Sequence, residues 1–235
     1  MKRDIFIFAF FLMCTLISAQ TNYYVSEYGD DANDGLTEAT PIATLLQAKT
    51  LISANSDGDT EFIINIIGTV TDSKTNSQYK FNSSEDITLT IKGESAGTSI
   101  IQKVDDETWL EYVESGTEAG RFFNMPQNAG DGSLTIIFED VTFQNFGHNA
   151  ANGGMFINAL LDCDIIVRRC IFRNGIARAG ALFQTNANQR IVNLTMEDCF
   201  IENMLTFNYG GIFDSPIIIR GYSSGTFKNC VSFYW

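Results

Sequence analysis

Asp162 and Asp164 flank Cys163, and outside the bend positions described below they form the tight carboxylate pair of the repeated half of the chain. Paired carboxylates suit cleavage of a glycosidic bond, one protonating the leaving oxygen while the other serves as base or nucleophile. Arg173 and Arg178 lie close by in sequence and offer contacts for an anionic group. Trp109 and Tyr112 stand in an acidic stretch, residues 105–120, which reads as an inserted loop, either a ligand-binding device or a tolerated excursion. His148, the one histidine, lies between Gly147 and Gly153 and reads first as a loop residue rather than a ligand contact. A single histidine excludes the zinc sites of proteases and deaminases, which need several His or Cys ligands at fixed spacing. The chain also has no Gly-x-x-x-x-Gly-Lys phosphate loop and no Gly-x-Ser-x-Gly elbow. Asp30, Asp31 and Asp34, between Gly29 and Gly35, suggest a calcium loop, but counting from Asp30 the third position is Ala32 and the twelfth Pro41. That breaks the EF-hand pattern, so a plain turn is favoured and no metal or other cofactor is required, calcium being the one candidate.

The elements that must carry these residues show themselves as a repeat. Leu134–Asn145 returns as Asp164–Asn174, as Leu194–Asn203 and as Phe227–Phe233. Val141, Cys170, Cys199 and Cys230 form one column, spaced 29, 29 and 31 residues, and Asn145, Asn174 and Asn203 form another at 29 and 29. Within each unit apolar and polar residues alternate in short runs broken by Gly and Asn, which is strand periodicity. Units of roughly 25–30 residues with several strands each suit the coils of a parallel β-helix stacked about 4.8 Å apart. Ile136, Phe138, Val141 and Phe143 then point inward, and Glu139-Asp140, Arg168-Arg169, Glu197-Asp198 and Lys228-Asn229 occupy an outward bend. Down the stack these bends alternate in charge, which opposes like-charge repulsion and supports the register. The Asn column reads as a side-chain amide ladder.

Paired glycines before a short apolar run (Gly153-Gly154-Met155-Phe156, Gly210-Gly211-Ile212-Phe213), with Phe-x-Asn units such as Phe143-Gln144-Asn145, resemble the repeats of chlamydial polymorphic outer-membrane proteins. More broadly the pattern is similar to the right-handed parallel β-helices of the pectin-lyase-like superfamily. The resemblance implies an all-β solenoid and a function among lyases, hydrolases, adhesins and phage spikes, since the fold alone does not choose. The opening of the chain adds to it. Tyr23-Tyr24-Val25-Ser26 reads as a strand, followed by the Asp-Gly loop, Thr40-Pro41-Ile42-Ala43-Thr44 and a short helix from Leu45 to Ile52 with Thr44 as N-cap. This resembles the start of many secreted β-helix proteins, where the helix caps the first coil and covers its open edge.

The expected organisation is a signal peptide over 1–19, an entry strand, loop and capping helix over 20–60, and a parallel β-helix of about six coils over 61–235 without a C-terminal cap. Ile66 and Ile91 are expected to head the column of Phe138, Val167, Met196 and Phe227. Lys2, Arg3 and the apolar run to Ile17 carry the signal reading, and no later run is long enough to span a membrane. The net charge of −13, which becomes −14 when Lys2, Arg3 and Asp4 are removed, disfavours nucleic acid, anionic membranes and polyuronates as partners. Export permits disulfides, yet three of the four mature cysteines share one inward column, which favours a ladder of free thiols. Phe233, Tyr234 and Trp235 end a coil that is still running, so the chain is expected to continue, or to pair its last coil with another chain. The favoured reading is a non-enzymatic, adhesin-like or glycan-binding protein, secreted or on the surface of a Gram-negative bacterium, with an extracellular glycan or a surface protein as partner. A polysaccharide lyase or glycoside hydrolase relative, whole or truncated, is the alternative.

Overall fold

The computed structural model describes residues 20–55, 60–72, 86–115, 120–125, 133–147, 156–159, 161–177, 182–185, 191–206, 217–218 and 223–233; the expected signal segment lies outside these residues. The chain winds turn by turn. β1 (Gln20–Ser26) and α1 (Leu45–Asn55) open it, followed by β2 (Glu61–Ile67) and β3 (Thr69–Thr71). The next turn holds β4 (Ile87–Gly93), β5 (Ile100–Gln102), α2 (Asp106–Ser115) and β6 (Phe123–Met125). Three regular turns follow: β7 (Leu134–Glu139), β8 (Thr142–Gly147) and β9 (Ile157–Ala159), then β10 (Cys163–Arg168), β11 (Ile171–Ala177) and β12 (Phe183–Thr185), then β13 (Val192–Glu197), β14 (Phe200–Thr206) and β15 (Ile217–Ile218). β16 (Ser224–Lys228) and β17 (Val231–Phe233) come last.

These strands stack into three parallel sheets, ordered β1-β2-β4-β7-β10-β13-β16, β3-β5-β8-β11-β14-β17 and β6-β9-β12-β15. The fold is an all-β parallel β-helix. About four turns carry a strand on all three faces, while the six units counted in the sequence correspond to β2, β4, β7, β10, β13 and β16 on the first face.

Alternation builds the core. On β7 Leu134, Ile136 and Phe138 are buried while Thr135, Ile137 and Glu139 face outward. The same file continues through Ile165 and Leu194, and through Val167 and Met196. Val141, Cys170 and Cys199 lie buried in one file at the first corner, with Cys230 partly buried below them, and all four described cysteines are free thiols. One expected register is corrected. Ile64, not Ile66, pairs with Ile91 and so joins the file of Phe138, while Ile66 pairs with Gly93. Both isoleucines are buried on the same side of β2, so alternation cannot separate positions two apart.

The outward bend column is as expected. Lys92, Glu139, Arg168, Glu197 and Lys228 stand in register, Arg168 donates to Glu139 at 2.9 Å and Lys228 pairs with Glu197. Beside it Arg169 clasps Asp140 through two bonds of 2.8 and 2.7 Å, and Asn229 donates to Asp198 at 2.9 Å. Asp140, Arg169, Asp198 and Asn229 all adopt left-handed backbone, φ 51–57°, which makes the corner sharp.

The two helices have different places: α1 covers the first coil, and α2 packs against the outside of the stack. Thr44 Oγ1 accepts from the Gln47 amide at 3.1 Å, capping α1, whose Leu45, Ala48 and Ile52 are buried over the first coil. Within the stretch expected as a loop at 105–120, residues 106–115 form α2. Asp105 caps it by accepting from the Thr108 amide at 2.7 Å, an interaction that also holds the Asp105 carboxyl below its usual range. Its Trp109 is only 3% exposed and packs with Ile176, Val104 and Leu205, so that ring anchors the helix to the stack. Nearby, the buried Lys103 pairs with Asp72 at 2.6 Å and lies 5.0 Å from the Phe122 ring; burial lowers its pKa, and Asp72 counters that.

Candidate functional site

A groove of about 510 Å³ runs along the second corner, lined by Asp106, Arg173, Asn174, Glu202 and Asn203. Two parallel side-chain ladders build it. On each second-face strand one residue points in (Phe143, Phe172, Ile201), the next points out, and the third turns the corner in left-handed backbone. The outward positions Thr71, Gln102, Gln144, Arg173 and Glu202 stand in register. Gln102 donates to Thr71 at 3.1 Å, Gln144 to Gln102 at 2.7 Å, and Arg173 Nε to Gln144 Oε1 at 2.6 Å. The guanidinium is therefore oriented along the wall by a chain of amides.

The corner positions Asn145, Asn174 and Asn203 (φ 57°, 57° and 52°) form the second ladder. Asn203 donates to Asn174 at 2.7 Å and Asn174 to Asn145 at 2.8 Å. Asn145, fully buried, donates to the Val104 carbonyl at 2.9 Å and to Asp106 Oδ1 at 2.8 Å, which ties the first turn of α2 to the head of the ladder. Asn145→Ala should cost about 3 kcal/mol, roughly 1–2 from forcing Ala into left-handed backbone and the rest from orphaned partners. Asn145→Gly should recover the backbone share only. Denaturant titration of the three proteins checks this, and equal stability of the Ala and Gly variants would remove the strain component.

Asp106 and Glu202 are the two carboxylates of the groove, but Asp106 sits above Asn145 and Glu202 lies beside Asn203. Two coil spacings, ~10 Å, separate the Asn145 and Asn203 levels and Asp106 lies beyond Asn145, so the two carboxylates stand farther apart than the roughly 5–9.5 Å between acid and base or nucleophile in glycoside hydrolysis.

The residues singled out in the sequence do not converge. Asp162 and Asp164 project from the first face at a shallow 210 Å³ cleft shared with Ser133, Leu134, Cys163, Ile191 and Asn193, away from Arg173. Asp162 Oδ1 accepts the Ile191 amide at 2.6 Å, and Asp164 Oδ1 accepts from Asn193 Nδ2 at 2.8 Å, so both are rungs between coils. Arg178 and His148 lie outside the described residues, as does the side chain of Tyr112. Asp30 and Asp34 accept the Ala32 and Leu36 amides two residues on, at 2.9 and 3.1 Å. Asp31 binds the Ala43 and Thr44 amides and the Thr44 hydroxyl at 2.8–2.9 Å, pinning the entry loop to the start of α1. Among the described residues no three His, Cys, Asp or Glu gather into a metal site. The groove residues Asp106, Glu202 and Asn203 were not foreseen as ligand contacts. Arg173, singled out as an anion contact, does line this wall, and with the Asn spacing it is the sequence signal that pointed there.

No known family model matches the chain, and no curated protein matches it. Among solved structures it is similar to one from Parabacteroides merdae described as a "putative glycosyl hydrolase", with 14% identity, 90% of this chain and 98% of that chain covered, and a TM-score of 0.44. A likeness of that size carries no argument about activity.

Proposed function

We propose that the protein is an exported, non-catalytic β-helix that binds an uncharged glycan along the second-corner groove, as an adhesin-like surface or secreted protein. The observation that carries this reading is the groove wall itself. Arg173, Asn174, Glu202 and Asn203 offer planar donors and acceptors, side by side, to a hydroxyl-rich ligand. Asn174, Asn203 and Arg173 are already fixed by their ladders, so little side-chain entropy remains to be lost on binding. The net charge of −13 favours a neutral chain over a polyuronate. The three-faced stack, the capping helix and the Phe-x-Asn units support a relation to the pectin-lyase-like superfamily, and the basic, apolar start supports export.

A glycan array followed by calorimetry on the chain beginning at Gln20 tests the reading. Binding of a neutral oligosaccharide is expected, with Arg173→Ala and Glu202→Gln each weakening it at least tenfold, about 1.4 kcal/mol. Absence of neutral glycan binding, or full affinity in both variants, would sink the reading. A parallel assay for shortened or unsaturated products would replace it with the lyase or hydrolase alternative if products appear.

A further inference from the structure

A second cleft, about 480 Å³, opens at the first corner beside the entry segment, on a different edge of the solenoid from the groove above. Its floor is the outward column Tyr24, Asn65 and Lys92, brought into register by β1, β2 and β4. Its walls are Glu38, from the entry loop, and Glu94 with Thr98, from the six-residue excursion between β4 and β5.

The cleft exists because this corner is built differently in the early coils. In the later turns the left-handed residue always carries a side chain, Asp140, Arg169, Asp198 or Asn229, and Asp140, Asp198 and Asn229 each bond to an adjacent coil, as Arg169 does to Asp140. In the β2 turn that conformation falls to Gly68 (φ +69°), and a Cβ there would meet nothing within 4 Å, so the corner is open space. In the next turn the chain swings outward from Gly93, where a Cβ would collide with Ser99 at 2.2 Å and with the Asp140 carbonyl at 2.5 Å. The excursion is held shut by buried Ser99, which accepts from the Glu94 amide at 3.0 Å and donates to the Ile66 carbonyl at 3.0 Å. The wall carrying Glu94 is therefore fixed relative to the floor.

We infer that this cleft is a sugar-binding site for an amino sugar with a free ammonium group. Tyr24, half-buried on the floor, offers a ring face for the apolar side of a pyranose. Asn65 and Thr98 supply hydroxyl contacts, although Asn65 is partly engaged in donating to the Tyr23 carbonyl at 3.2 Å. Glu38 and Glu94, contributed by separate segments, both line the cleft and outnumber its one cation, Lys92, which stands in register with Glu139. The net negative wall on a strongly acidic protein selects a cationic ring over a neutral or uronic one.

Calorimetry with a glucosamine trisaccharide, its N-acetylated counterpart and a galacturonate trisaccharide tests the site. The glucosamine oligomer should bind, at least tenfold more tightly than the acetylated one, and the galacturonate should show no heat. Tyr24→Ala should weaken binding at least tenfold, and Glu94→Gln, on an exposed loop where folding is not at risk, about threefold or more. Arg173→Ala should leave it unchanged, which separates this site from the groove of the proposed function. Equal affinity for the acetylated sugar, full affinity in both cleft variants, or loss of binding in Arg173→Ala would overturn the inference.

Discussion

Phe143→Ala is expected to remove about 3–5 kcal/mol of folding stability, the usual range for emptying a buried aromatic site. Phe143 is fully buried where the second face meets the other two. Its ring lies 4.6 Å from Phe156, 5.4 Å from Phe122 and from Phe138, and 5.6 Å from Phe172, with which it is stacked at 11°. These partners belong to three successive turns, so the cavity would loosen coil-to-coil packing as well as one coil. Edge and stacked aromatic pairs add about 0.5–1.5 kcal/mol each beyond buried area, which places the loss toward the upper end. Phe143→Leu should cost less than half as much. Denaturant unfolding of the two variants measures this, and a loss under about 1 kcal/mol for the alanine variant would show that the aromatic cluster is not the centre of the core.

The second large effect is an alkaline limit on stability. Burial pushes the Cys163 and Cys199 thiols from 9.0 up to about 12, and Cys170 higher still. The folded state favours the neutral thiol, so its contribution is complete below about pH 9, where the unfolded thiol is also protonated, and is lost as pH rises toward 12. Three pH units per thiol correspond to about 4 kcal/mol each at the far end of that window. The melting temperature should therefore hold to about pH 9 and fall steeply above it, and a Cys163→Ala/Cys199→Ala double variant should fall less steeply. At pH 8 a thiol reagent should label Cys230, which is partly exposed, and leave Cys163, Cys170 and Cys199 silent until unfolding. Identical alkaline slopes in the wild type and the double variant would assign the loss to other groups.

The repeat was legible because each corner needs a residue that tolerates left-handed backbone, and Asn and Asp tolerate it best. Asn145, Asn174 and Asn203 therefore recur at the coil period, and the thiol file and the charge column follow from the same count. The β2 register was not legible, since Ile64 and Ile66 are the same residue type on the same face and the β4 corner carries the 94–99 excursion. α2 was hidden because, among its described side chains, only Trp109 is deeply buried; the signal that could have revealed it is Asp105 three residues before Thr108, with Asp106 and Glu107 in the first turn. The clefts were out of reach for a different reason. Tyr24, Asn65 and Lys92 become neighbours only through strand pairing, and no local pattern joins them.

The alternating bend column has a consequence for how such a chain can change length. Lys92, Glu139, Arg168, Glu197 and Lys228 repeat with a period of two coils, whereas the Asn ladder and the inward files repeat every coil. Excising one coil, residues 163–191, would keep every inward file in step but set Glu139 on Glu197 and Asp140 on Asp198. Excising two, residues 134–191, would bring Lys92 over Glu197 and restore opposite charges. Each exposed pair is worth only about 0.2–1 kcal/mol, so the packing would accept either deletion while the surface would favour the even one. The solenoid thus carries a parity: its electrostatics count coils in twos, and duplication or loss of repeats is least costly in even steps.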